Sequence, residues 1–274
     1  MIVIAKIMKI NYSGENNITT MKNSSLKETE DCILLIHENY KIIFTKKDAG
    51  NFSFQQPFID ENLTTNSRKK FFEKFEIPSK NVYNPILEHG SKYFLADKPL
   101  NIDACYKNSQ IGIGDAVLVL KPDLYGMITF ADCIPLALLN RKANICAAIH
   151  LGWRGVIDLA ILKMISAWNK IYDVSNVDWE AIIGPSIFAN NFEVQSDFIE
   201  NLNKSNRSMT KFLINIENKY YFNNRVALST TLQDIGIYSC FQLDIDTFSD
   251  SRFSSYRKEK PYNITQALLV TMIK

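Results

Sequence analysis

A single domain of antiparallel hairpins flanked by amphipathic helices is what the sequence predicts, and three observations carry that expectation. Short, almost continuous apolar runs come in pairs around polar turns, the clearest being residues 134–139 and 145–149 around 140–144. Ile157, Ile161, Met164, Trp168 and Ile171 repeat at helical spacing, which predicts a helix of about four turns with one buried face. The 274 residues are 46% hydrophobic and 12% aromatic, enough to fill a globular core, and neither an internal repeat nor a linker divides them.

Taken in order, residues 1–10 are apolar but interrupted by Lys6 and Lys9, with no small-residue cleavage site after them, so they fit an edge strand better than a signal peptide. A polar insertion at about 11–30, rich in Asn, Ser, Thr and Lys, reads as a surface loop or short helix. Residues 32–36 and 41–45 flank a turn in a second hairpin, with His37 as a solvated turn histidine. Asn66 and Ser67 can cap a helix over 68–75 whose Phe71, Phe72 and Phe75 share a core-facing side. Residues 81–87 extend toward Glu88-His89-Gly90. Ile111 to Ala116 contains two glycines, but no third glycine or helix follows, which excludes a dinucleotide loop. A strand over 117–120, a turn over 121–126 and a strand over 127–130 then lead into the central hairpin. Beyond it, 181–183 reads as a strand before Gly184-Pro185-Ser186, 197–202 and 225–235 as helices, and 264–273 as a buried final strand. Residues 246–260 hold Ser249, Asp250, Arg252, Ser254, Tyr256 and Arg257, the composition of a loop that folds over a site.

The 31 basic and 29 acidic residues nearly cancel to a net charge of +2, which argues against nucleic acid or a membrane surface and for a small-molecule substrate. Five cysteines (Cys32, Cys105, Cys133, Cys146, Cys240) without a C-x-x-C pair favour free thiols in a reducing, cytoplasmic compartment. No apolar run approaches the ~18 residues of a membrane span. A monomer or homodimer is expected.

Chemistry is expected at one end of the central hairpin. Pairing about the turn sets Cys133 roughly opposite His150, and directly opposed residues have Cβ atoms about 4.5–5.5 Å apart, so a metal or a proton can bridge them. Leu151-Gly152-Trp153-Arg154-Gly155 follows, with glycines that let the backbone approach a ligand. Arg154 with the helix N-terminus offers an anion seat, and spacing alone fits an ordinary surface ion pair equally well. His89, before Gly90, is by itself more often a hydrogen-bonded structural histidine than a ligand. The chain has 3 histidines, so a centre needing many imidazoles is excluded by counting. One cysteine and two histidines make a three-ligand set with an open fourth position, the arrangement of catalytic zinc, whose bound water has a pKa of about 7. The same set describes a blue-copper centre with a long axial Met. A metal-free reading makes Cys133 a nucleophile with His150 as its base, and the plainest alternative is a buried cysteine beside a stray histidine.

The order of GDAVLV, TFADCIPLALL, AAIHLGWRG, AIIGPSI with FEV following, and SDSRFSSYR resembles the YfiH-like laccase-domain family. The resemblance runs from about Lys41 onward, and the ADC-to-HxGWRG pairing is its specific part. It implies an α+β fold, a single domain with mixed β-sheets flanked by helices over 1–274, holding one zinc through His89, Cys133 and His150. It also implies purine nucleoside phosphorylase activity on adenosine, inosine or guanosine, with accompanying adenosine deaminase activity; other members are described as polyphenol oxidases or peptidoglycan editing factors. On that footing His89, Cys133, His150 and Asp132 are the expected catalytic residues, and Arg154 and Arg257 the expected substrate contacts. A hydrolase editing peptidoglycan precursors and a non-enzymatic zinc-binding interaction module are the competing readings. Two positions depart from the family pattern. Leu87 and Glu88 stand where Gln and Val usually precede His-Gly, and Asn191 stands where a cysteine is common. The H-x-E and P-C-x-x-C signature of zinc deaminases is absent.

Overall fold

The strands of the central hairpin are Ile134–Asn140 and Ile145–Leu151, and every residue of both is buried. Such strands need a covering layer on each face, which is why their apolar residues run on without the alternation of a half-exposed strand. The structure, a computed structural model, describes residues 7–10, 16–17, 21, 23–56, 58 and 60–274. Within them the hairpin forms the middle of an eight-stranded mixed sheet. Trp179–Ile183 lies antiparallel beside Ile134–Asn140, Ser239–Leu243 runs parallel to Trp179–Ile183, and Ile7–Ile10 and Asn16–Asn17 complete that side. On the other side Ala116–Val119 pairs antiparallel with Ile145–Leu151, and Tyr93–Ala96 lies parallel to it. A six-stranded sheet follows the order Ser24–Glu28, Cys32–His37, Tyr40–Thr45, Gln266–Met272, Tyr125–Phe130, Val82–Tyr83.

One face of the larger sheet, with Val117, Val119, Ala137, Leu139 and Ala148, packs against Ile42, Phe44, Ile128 and Leu268 of the smaller. Its other face is covered by the helices Ala160–Tyr172, through Ile161, Met164, Ile165 and Trp168, and Asn224–Asp234, through Ala227, Leu228 and Leu232. The outer face of the six-stranded sheet is covered by Glu61–Lys74 through Phe71 and Phe72. These four layers give each central strand its two covers, and full burial of a Leu, Ile or Phe side chain is worth about 1.5–3 kcal/mol.

Several expectations shift. The helix expected after Gly155 is two helices, Trp153–Ile157 and Ala160–Tyr172, separated by a left-handed Leu159 (φ 54°). Its buried face follows Ile161, Met164, Ile165 and Trp168, a series whose next member is Tyr172, so Ile171 stands 58% exposed. The first helix begins at Glu61, before the expected start at 68, because the Asp60 side chain caps it by accepting from the Asn62 N–H at 2.9 Å. Ser67 instead donates to the Leu63 carbonyl inside that helix. His37 ends a strand and is 2% exposed; Glu38 and Asn39 alone make the turn, with Glu38 at φ 53°. In the polar insertion, Ser24–Glu28 is a strand paired with Cys32–His37 and not a loop or helix, Asn16–Asn17 pairs beside Ile7–Ile10, and residues 11–15, 18–20 and 22 lie outside the described residues, as do 1–6.

Candidate metal centre

His89, Cys133 and His150 each offer one donor atom, and the three atoms lie within 4.8 Å of one another. The hairpin brings two of them together with a register different from the expected one. Ile134 pairs with Leu151 and Pro135 with His150, so the position across from Cys133 is Gly152 and not His150. Cys133 and His150 are diagonal neighbours on one face, a spacing long side chains still bridge. The glycine is required there. A Cβ on Gly152 would lie 2.3 Å from the His89 ring and 3.4 Å from the Cys133 sulfur. Its absence lets His89 enter from another segment, with Nε2 3.9 Å from Cys133 Sγ and its ring 4.9 Å from that of His150.

Sequence reasoning missed Asp115, which ties the two histidines together. Its carboxylate is fully buried and accepts His150 Nδ1–H at 2.9 Å, the His89 N–H at 2.9 Å and the Gly90 N–H at 2.7 Å. It thereby fixes the tautomer of His150 and leaves Nε2 as the free donor, as metal-ligating histidines require. It also holds the His89 turn, whose φ of 62° costs about 1–3 kcal/mol of backbone strain. Just before that turn the Gln55 side-chain amide brackets Leu87, accepting its N–H and donating to its carbonyl, both at 3.0 Å. The only sequence signal for Asp115 was its place after two glycines in a segment set aside as a failed dinucleotide loop.

Without a bound cation the charges support one another. Burial pushes the Cys133 thiol up, yet the His150 charge and hydrogen bonds from both imidazoles outweigh it and hold the thiol at about 6. Burial disfavours the His150 imidazolium, but Cys133 on one side and Asp115 on the other raise it to about 9. Burial likewise works against the Asp115 carboxylate, and His150 with the backbone N–H groups keeps it below its ordinary value.

The donor set suits a metal. One thiolate and two neutral imidazoles are zinc ligands, and the 3.9 Å between Cys133 and His89 is shorter than the ~4.4 Å that Zn–S and Zn–N bonds span end to end. The remaining expected residues lie around the triad in different states. Asp132, next to Cys133 and at φ 82°, has both carboxylate oxygens engaged: Oδ1 accepts from Thr247 at 2.7 Å, and Oδ2 accepts from Ser255 at 3.0 Å and from the Arg257 N–H at 2.6 Å. Burial nevertheless raises it above the usual carboxylate range. The Arg257 guanidinium donates to the Glu193 carbonyl at 2.8 Å and lies over Phe192. Arg154 is exposed, rests on the Trp153 ring at 4.1 Å and forms no ion pair among the described residues. The helix it sits on has 5 residues, too short for a useful macrodipole, so the expected anion seat at a long helix N-terminus is reduced to Arg154 itself.

Both departures from the family pattern have structural partners. Leu87 packs at the edge of the inter-sheet core, and Asn191 Nδ2 donates to Asp246 at 2.6 Å, joining the loops that flank Asp132. Two cavities, one beside Lys69 and Cys105 and one beside Arg141 and Glu180, lie away from the triad, and donor chemistry marks this site. No helix of the described residues is long and apolar enough to cross a membrane.

The family described as "Multi-copper polyphenol oxidoreductase laccase" matches residues 48–272, and the chain belongs to that family. Among curated proteins it is similar to a purine nucleoside phosphorylase of Bacteroides thetaiotaomicron, 30% identical over 134 residues, a match spanning 48% of this chain and 50% of that protein. A purine nucleoside phosphorylase of Rickettsia prowazekii is 25% identical over 75% of this chain and 90% of its own, and the purine nucleoside phosphorylase YfiH of Shigella flexneri 25% identical over 74% and 76%. The fold is shared with a crystal structure of YfiH from Bacillus licheniformis, with a TM-score of 0.81 at 17% identity over 90% of this chain and 98% of that one. It is shared too with YlmD from Geobacillus stearothermophilus, with a TM-score of 0.81 at 16% identity over 92% and 100%.

Proposed function

We propose that the chain is a zinc-dependent purine nucleoside phosphorylase acting on adenosine, inosine or guanosine, with adenosine deamination as an accompanying activity at the same centre. The observation that carries this reading is the convergence of His89, Cys133 and His150 on one point, with Asp115 orienting His150 from behind. The names of the curated relatives support the substrate class. Zinc, when bound, supplies a Lewis acid for a developing negative charge.

In phosphorolysis a phosphate oxygen forms a bond to C1′ of the ribose as the C1′–N9 bond breaks. The bonding pair leaves with the purine, which takes up a proton, and ribose 1-phosphate remains. Arg154, exposed and without a carboxylate partner among the described residues, holds the phosphate, and its stack on Trp153 limits the freedom it would lose on binding. Asp132 and Arg257, whose groups are engaged by loop partners, position the segment carrying Ser255 against Cys133. Oxidation of polyphenols at several coppers does not fit. Three histidines cannot supply such a set, and His37 is already paired with Glu180.

Steady-state kinetics with inosine at varied phosphate test the proposal. Arg154→Ala is expected to lower kcat/KM for phosphate about ten- to a hundredfold, the value of one charge-assisted contact, with its metal retained. Base release independent of phosphate would refute the phosphorylase, and an unchanged phosphate dependence in Arg154→Ala would refute only the role of that arginine.

A further inference from the structure

His89 is the ligand that arrives from outside the central hairpin, and backbone hydrogen bonds hold its turn from two directions. One direction is the segment 112–115. The Ile86 N–H donates to the Gly112 carbonyl at 2.7 Å, and the Gly114 N–H donates to the Ile86 carbonyl at 2.9 Å. The Asp115 carboxylate then accepts from the Glu88, His89 and Gly90 N–H groups at 3.3, 2.9 and 2.7 Å. The other direction is Gln55, whose side-chain amide accepts the Leu87 N–H and donates to the Leu87 carbonyl, both at 3.0 Å. Gln55 is itself anchored. Its N–H donates to the Ser53 hydroxyl at 3.1 Å, the Ser53 carbonyl accepts from the Asn51 amide at 2.7 Å, and Asn51 accepts from the Thr265 N–H at 2.9 Å. Asn51 and Ser53 are buried, and Thr265 leads into the strand Gln266–Met272 of the six-stranded sheet. Each N–H from Ile86 to Gly90 therefore has an acceptor, and Leu87 alone takes its acceptor from outside 112–115.

We infer that Gln55 is a positioning residue for His89, acting through the Leu87 backbone two residues before it, an inference that rests on the metal reading above. A turn tied along one side can pivot about that side, and a tie from a second, separately anchored segment removes that freedom. His89 needs the second tie, because its φ of 62° is a strained conformation that persists only where the surroundings enforce it. Held in place, its Nε2 stays 3.9 Å from Cys133 Sγ before any cation arrives, so metal binding has little left to order. The Gln55 side chain is exposed, so water replaces both of its bonds when it is removed. The loss therefore falls on the placement of His89 and not on the stability of the chain.

Zinc competition against a chromophoric chelator, on the full chain as wild type, Gln55→Ala, His89→Ala and the double variant, tests this role. Gln55→Ala is expected to weaken zinc about tenfold, the value of one to two backbone hydrogen bonds, with the melting temperature of chelator-treated protein unchanged. In the His89→Ala background the same substitution should change zinc affinity by less than about twofold, because its effect runs through the missing ligand. Equal zinc affinity in wild type and Gln55→Ala would overturn the inference, as would equal weakening in both backgrounds, which a merely structural role produces. Amide exchange in the chelator-treated chain separates the inference from the metal reading, since Gln55→Ala should speed exchange at Leu87, Glu88 and His89. Faster exchange there, in a protein whose wild type holds no zinc, would uphold the role of Gln55 in fixing the turn and refute the metal centre. Unchanged exchange would overturn the inference whatever the metal content.

Discussion

At one end of the central hairpin His150 donates to Asp115 at 2.9 Å; at the other, beside the Asn140 turn, His37 lies 2.5 Å from Glu180. Both histidines are buried and both face a buried or nearly buried carboxylate. The seven-residue strand between the two ends separates them by about 20 Å. The difference lies in what each pair faces next. His150 turns its second nitrogen toward Cys133 and His89, and the three together make a set of metal donors. His37 directs Nε2 at both Glu180 and Arg141, whose other nitrogen reaches Glu38 at 2.8 Å, while its Nδ1 meets no polar atom. A buried histidine–carboxylate pair is thus compatible with a ligand centre or with a closed ion cluster, and the neighbouring donors decide which.

The two histidines should differ most at the ligand itself. His150→Ala should lose metal and phosphorolysis together, whereas His37→Ala should keep both; metal analysis and an inosine assay on the two variants check this. A step smaller, Asp115→Asn should weaken metal binding about ten- to a hundredfold by removing the acceptor behind His150, while Glu180→Gln should leave metal affinity unchanged. Glu180→Gln should still cost about 1–3 kcal/mol of stability, because it weakens a buried pair, and chemical denaturation of both variants reads that difference. The smallest effect concerns protons. In chelator-treated protein the Cys133 thiolate should titrate near 6, and His150→Ala should move it upward. Since the unfolded thiol titrates at about 8.5, this depressed group stabilises the metal-free chain fully above that pH and loses its contribution as pH falls through about 6. Thiolate absorbance against pH measures the midpoint, and a value near 8.5 in wild type would show that His150 does not face the sulfur.

The paired apolar runs and the polar turn made the central hairpin legible in the sequence, and Cys133 and His150 with it, because strands buried on both faces leave a pattern any reader can find. Its register was legible only to within two residues, since the ladder runs through Asn140 and Leu151 beyond the apolar core of each run. His89 reached the site through family resemblance alone; nothing local distinguishes it from His37. Asp115 was hidden because its role arises from Ala116–Val119 pairing beside Ile145–Leu151, a long-range register that periodicity does not encode. The burial of His37 was hidden for the same reason: Glu180 arrives from a strand more than a hundred residues away. The early start of Glu61–Lys74 was masked by a polar first half, in which a single Asp60 cap outweighs an apparent loop composition.

Metal content per chain decides whether the triad holds a metal, measured on protein prepared without added metal and compared between wild type and Cys133→Ala. The triad predicts one tightly bound zinc per wild-type chain and loss of most of it when the only thiolate among the three donors is removed. Full retention of zinc in Cys133→Ala would contradict the account.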